Sequence, residues 1–294
     1  MSRIFVLATA LAVFFVPCAN GEPVLLCGAD TVFLLETADA AKGKIEKLWT
    51  WNAKQCEQLP ETMRNTFRST DDCKPVDGGA KVLISSSSGG CALVERPSGN
   101  VLWYAQVPNA HSLELLPRNR IVAASSVSPK GNRLMLFDVA HLDRPIWEAP
   151  LVSAHGVVWD DTRKLLWALG GKELQSFELQ DWEGDKPSLS MKASYPLPDE
   201  GGHDLQPVPR SSDLIVTSGR HVFLFDRDKH QFRPHPQLGD RVAVKSVNVH
   251  PLTGQTIFLQ ATESWWSDSL GLLAPPGKIQ LPGERLYKAR WLAK

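Results

Sequence analysis

Apolar and polar residues alternate along much of this chain, and the alternating runs recur. His111-Ser112-Leu113-Glu114-Leu115-Leu116-Pro117 is one such run. His155-Gly156-Val157-Val158-Trp159-Asp160 and His203-Asp204-Leu205-Gln206-Pro207-Val208-Pro209 are the second and third. Each opens on a histidine and leads through a polar turn into an apolar run, at 121–124, 165–168 and 214–217. A fourth copy, Lys245-Ser246-Val247-Asn248-Val249-His250-Pro251, keeps the pattern with lysine in the lead. Alternation with period two predicts half-buried strands bounded by turns. The lead positions 111, 155, 203 and 245 are 44, 48 and 42 residues apart. That spacing is the length of a four-stranded propeller blade.

The rest of the chain fits the same unit. Blades three to six start at the four lead residues. Blade two is less regular: strands are predicted at 82–85, 91–95 and 101–106, with an innermost strand near 71–76. Its channel-facing residue is Arg68, Asp72 or Lys74, depending on the gap allowed. Blade one lacks an innermost strand at its own start. Residues 286–292 supply one, with Lys288 lying 43 residues past Lys245. Lending that strand closes the ring and leaves no free sheet edge. The expected fold is all-β: a six-bladed β-propeller of four-stranded blades, over residues 22–294.

Composition supports this. The 294 residues are 43% hydrophobic and include 21 glycines, 21 prolines and 10 tryptophans, a balance of turns and large rings suited to β-structure. Formal net charge is zero, which argues against nucleic acid or a membrane surface as partner. Residues 1–21 read as a signal peptide: Arg3, a short apolar run at 4–16, and Ala19-Asn20-Gly21 before Glu22. The expected location is secreted or periplasmic, as a monomer free of the membrane after cleavage. The mature chain keeps Cys27, Cys56, Cys73 and Cys91, for which two disulfides of open connectivity are expected in an exported protein. The sequence contains no serine-hydrolase elbow, zincin, phosphate-loop or dinucleotide motif.

The lead residues carry the candidate chemistry. Inner strands of a propeller run along its central channel, so their first side chains gather at one mouth. His111, His155 and His203 would converge there from neighbouring blades, with Lys245 and Lys288 opposite. Three imidazoles with open positions suit a catalytic divalent metal, with zinc, manganese and iron all open. The bland alternative is a set of histidines that only satisfy local hydrogen bonds. Tyr287 is a candidate acid and Arg220 a candidate carboxylate clamp. Trp265 and Trp266 either stack on a sugar or plug the rim against blade one.

The runs opening at Ala110-His111, Ala154-His155 and Gly202-His203 resemble a family of exported bacterial six-bladed propellers of unknown function. More remotely, the mouth is similar to that of propeller polysaccharide lyases of the oligogalacturonate lyase type. That likeness implies a histidine-bound divalent metal and uronic-acid substrates. The expected function is a metal-dependent enzyme, a lyase, acting on an anionic saccharide. Metal on His111, His155 and His203 would hold the carboxylate, and Lys245 or Lys288 would take the adjacent proton. The alternative is a non-enzymatic propeller binding a glycan or protein at the same mouth. A lactonase-like hydrolase is a third reading, disfavoured because the ring is poor in carboxylates.

Overall fold

A computed structural model describes residues 21–141 and 144–292. The leader read at residues 1–21 lies almost entirely outside the described residues. The architecture is a six-bladed β-propeller: six sheets, each of four antiparallel strands. Innermost strands of blades two to six are Thr70–Val76, Ala110–Leu116, Gly156–Asp160, Asp204–Pro207 and Val244–Val249. Blade one is closed as expected: Lys288–Trp291 pairs with Pro23–Gly28, which continues into Thr31–Glu36 and Trp49–Trp51. Among the described residues, no helix is long and apolar enough to cross a membrane.

The hydrophobic core is divided into clusters, each lying between two blades. Trp103 and Phe137 meet edge to face between blades two and three. Trp167 and Phe225 do so between blades four and five. Trp49, Trp51, Trp103 and Trp167 lie in these cores, as the alternation predicts, whereas Trp147 and Trp159 are only partly buried. Burial of such rings is the main term holding a propeller together.

The disulfide expectation is corrected. Cys27, Cys56, Cys73 and Cys91 are all free thiols and all buried. They serve as small apolar core residues, a common role for unpaired cysteine. Burial pushes the Cys27 and Cys91 thiols up, away from the reactive thiolate.

One local irregularity decides what lines the channel. The strand register slips by one residue at the start of three inner strands, between Thr70 and Asp72, Ala110 and Ser112, and Val244 and Ser246. Asp71, His111 and Lys245 are the inserted residues. The other blades show the same irregularity through hydrogen bonds. His155, His203 and Tyr287 donate their N–H to the carbonyls of Leu169, Thr217 and Cys27, residues that already pair with the next position along. Such a bulge breaks the in–out alternation for one residue. The lead side chain therefore joins the channel face together with the residues one and three positions later. The residue two positions later, Cys73, Leu113, Val157, Leu205, Val247 or Ala289, packs in the inter-blade core.

Candidate functional site

The bulges define the ring at the mouth as Asp71, His111, His155, His203, Lys245 and Tyr287. Two expectations change here. The blade-two member is Asp71, not Arg68, Asp72 or Lys74. The blade-one member is Tyr287, and Lys288 sits one layer deeper. Both shifts are by a single residue, the residue the bulge inserts.

The three histidines do come together. Ring centroids of His111 and His155 are 4.1 Å apart, and those of His155 and His203 are 5.4 Å apart. The Tyr287 ring lies 6.4 Å from that of His111. Each imidazole is held differently. His155 Nδ1 donates to the Ser153 carbonyl at 2.8 Å, with Ser126 Oγ and Ser153 Oγ each at 3.3 Å. That assigns its proton to Nδ1 and leaves Nε2 as an acceptor. His111 Nδ1 lies 3.1 Å from Asp71 Oδ1, off the line of a good hydrogen bond. Asp71 is fixed in turn by the Ser87 N–H at 2.5 Å, from the serine-rich loop of blade two. His203 Nε2 accepts from Lys245 Nζ at 3.0 Å, which puts its own proton on Nδ1, where it finds no acceptor among the described residues.

Burial keeps His155 and His203 neutral. His155 is held well below the ordinary histidine range by burial, then by the neighbouring His111 and His203. His203 is pushed down to about 3, by burial first and by Lys245 and Lys288 next. Lys245 is itself lowered, by burial and then by Lys288. Among the described residues it forms no ion pair with any carboxylate, which leaves its ammonium with an imidazole as its one hydrogen-bond partner. The Tyr287 hydroxyl is raised well above the usual phenol range by burial and by Asp71, so it stays protonated.

Below the mouth lies a layer of buried charge. Lys288 Nζ reaches Asp204 at 3.2 Å and Asp72 at 3.6 Å, and is 0% exposed. Arg290 spans the channel, contacting Asp72 at 2.9 Å and Asp204 at 2.6 Å. Burial alone would raise both carboxyls, but Arg290 and then Lys288 overcome it and hold them below their ordinary range. Ser112 Oγ donates to Asp72 at 2.9 Å. Lys288, read from the sequence as a base, is thus an internal counter-ion.

The peripheral expectations fare unevenly. Trp265 is 38% exposed and stands edge to face with Tyr287 at 5.9 Å, next to the mouth. Trp266 instead packs under the Arg285 guanidinium at 5.4 Å, part of the rim. Arg220 is already engaged by Asp199, through Nε at 3.0 Å and Nη2 at 2.5 Å, although its side chain is 75% exposed. Asp199 comes from a loop 21 residues earlier, so no local pattern shows the pair. Asp71 and Ser153 escaped the sequence reading. Reading the blades with one inserted residue per inner strand would have found Asp71.

The metal expectation can be tested against these contacts. Among the described residues, no group of three or more His, Cys, Asp and Glu side chains is arranged to hold a metal. His111 and His155 fit in part, since each turns Nδ1 toward an oxygen, as metal-bound histidines do. His203 does not fit as it stands, because Lys245 occupies its Nε2.

The fold and the mouth define a six-bladed propeller whose hub carries stacked layers of titratable side chains. A family model covering residues 33–294 matches the chain, which belongs to DUF6528, a family of unknown function. The resemblance read from the histidine-led runs therefore holds at the level of the family and fold. No curated protein matches. Among solved structures, a chain in a crystal structure of a mitotic checkpoint complex is similar, at 12% identity and a TM-score of 0.54. The match covers 79% of this chain and 66% of that one, just under two thirds of its length. With 1266 solved chains matching, the likeness speaks for the propeller fold and not for a function.

Proposed function

We propose that this propeller, exported by the leader read in its first residues, binds the carboxylate of an acidic saccharide at the histidine-lined mouth. One observation carries the reading: Lys245 is a partly buried ammonium with no carboxylate partner among the described residues, held by the imidazole of His203. An incoming carboxylate would accept from that ammonium. A charge-assisted bond in such a half-dry site is stronger than one in open water. Trp265 stands where a sugar face could lie against it.

A second reading, lyase turnover of the same substrate, is supported by the Nδ1 contacts of His111 and His155. A divalent metal (zinc, manganese or iron) bound there would draw charge from the carboxylate and acidify the neighbouring C–H. Lys245 would leave His203, whose Nε2 it covers, and take that proton, its lowered pKa favouring the free amine. Tyr287, kept protonated, would donate to the departing oxygen. Lys288 and Arg220 have no part, being bound to Asp72, Asp204 and Asp199.

The test is to incubate the mature protein with acidic oligosaccharides, with and without added metal and chelator. Unsaturated uronate absorbance that chelator removes supports the lyase. Saturable binding without product supports the binding propeller. Neither binding nor product with any acidic glycan overturns both.

A further inference from the structure

The far end of the same channel opens into a cavity, chemically different from the histidine-lined mouth. It holds about 370 Å³, within the roughly 300–1,000 Å³ range of small-molecule sites. Lys74, Glu114, Gln206, Asn248 and Arg290 form its polar floor, and Trp159 stands in its wall. The floor residues sit three positions beyond the mouth residues on their strands. The Asp72, Asp204, Lys288 and Arg290 layer separates the two ends.

Its charges are already matched. Lys74 Nζ pairs with Glu114 at 3.2 Å and donates to the Val157 carbonyl. Arg290 is taken up by Asp72 and Asp204. What remains free is neutral hydrogen-bonding capacity. Gln206 is 6% exposed, and its Nε2 donor has no partner among the described residues. Its Oε1 accepts from Asn248 Nδ2 at 3.4 Å. Glu114 keeps acceptor sites beyond the one Lys74 uses, and burial raises its pKa. A buried amide N–H without an acceptor costs free energy unless water or a ligand supplies one.

We infer that this far cavity is a separate binding site for a neutral saccharide unit. A hydroxyl both donates and accepts, so one diol can satisfy the Gln206 donor and the Glu114 acceptor together. The half-buried Trp159 offers an apolar face for the C–H side of a pyranose ring. Matched charge on the floor disfavours an anion, unlike the mouth at the other end. The site stands on its own contacts and does not depend on the acidic-ligand reading.

The experiment is saturation-transfer NMR and calorimetric titration of the full chain with cellobiose, maltose, lactose and diacetylchitobiose. At least one should bind saturably. Affinity for it should fall about tenfold or more in Gln206→Leu and in Trp159→Ala, and stay unchanged in Lys245→Ala. Gln206→Leu conserves volume, so circular dichroism matching the parent guards against misfolding as the cause. No saturable binding by any of the four sugars, or binding that survives both substitutions, would overturn the site.

Discussion

The two ends of the channel are built by the same six strands, from residues three positions apart, yet they differ in what they leave unpaired. At the histidine-lined end the unpaired groups are an ammonium and an imidazole N–H. At the far end every charge has a partner, and the group left over is an amide. Between them Asp72, Asp204, Lys288 and Arg290 neutralise one another in full burial. The difference teaches how one repeat serves two surfaces. The bulge frees the lead position to vary in charge, and the closed ionic layer keeps that charge from being cancelled across the channel.

The largest effect should come from removing the divider. Arg290→Met leaves Asp72 and Asp204 facing each other with only Lys288, in full burial. Loss of one partner from a buried ion network costs about 3–5 kcal/mol, which urea unfolding would read. Parent-like stability would mean that the layer does not hold the two ends apart.

Acid comes next. The folded pKa of His203, about 3, and of His155 lies below that of the unfolded chain, near 6.5. Between those values the unfolded chain binds more protons, so stability falls as pH drops from about 6.5. Each histidine contributes a slope of at most about 1.4 kcal/mol per pH unit. Asp72 and Asp204, held below their usual range, act only below about pH 4. Thermal unfolding from pH 7 to 4.5 should show the slope, and a His155→Gln, His203→Gln double variant should flatten it. A flat parent profile would place those imidazoles in water.

A smaller change sharpens the comparison. Lys245→Gln removes a charge that depresses His203, so the folded pKa of His203 should rise and its acid slope, still starting near pH 6.5, should level off at a higher pH, with stability at pH 7 altered by less than about 1 kcal/mol. The smallest effect belongs to the far end. Gln206→Leu removes an unpartnered donor and should leave stability within about 0.5 kcal/mol of the parent or raise it.

Much of this molecule can be read from its residues. The 42- to 48-residue spacing of the lead positions carries the blade count, and the lack of an inner strand in blade one points to closure by residues near Lys288. Convergence of His111, His155 and His203 follows from their equivalence in the repeat. What escapes is the single inserted residue. It displaces Lys288 from the mouth in favour of Tyr287, and Asp72 in favour of Asp71, because a bulge leaves no mark in an alternating pattern. Pairing across loops is equally hidden, as Arg220 and Asp199 show. The cysteines mislead for another reason: their number is even, but their positions lie in the core, where burial rather than bonding accounts for them.

The proposed role of Lys245 is to meet an anion at the histidine-lined mouth. Calorimetric titration of residues 22–294 with digalacturonate, at low and at high salt, gives the sharpest answer. That role requires saturable binding that weakens with salt and falls about tenfold or more in Lys245→Ala, with Gln206→Leu unaffected. Equal affinity in the parent and Lys245→Ala proteins would contradict it.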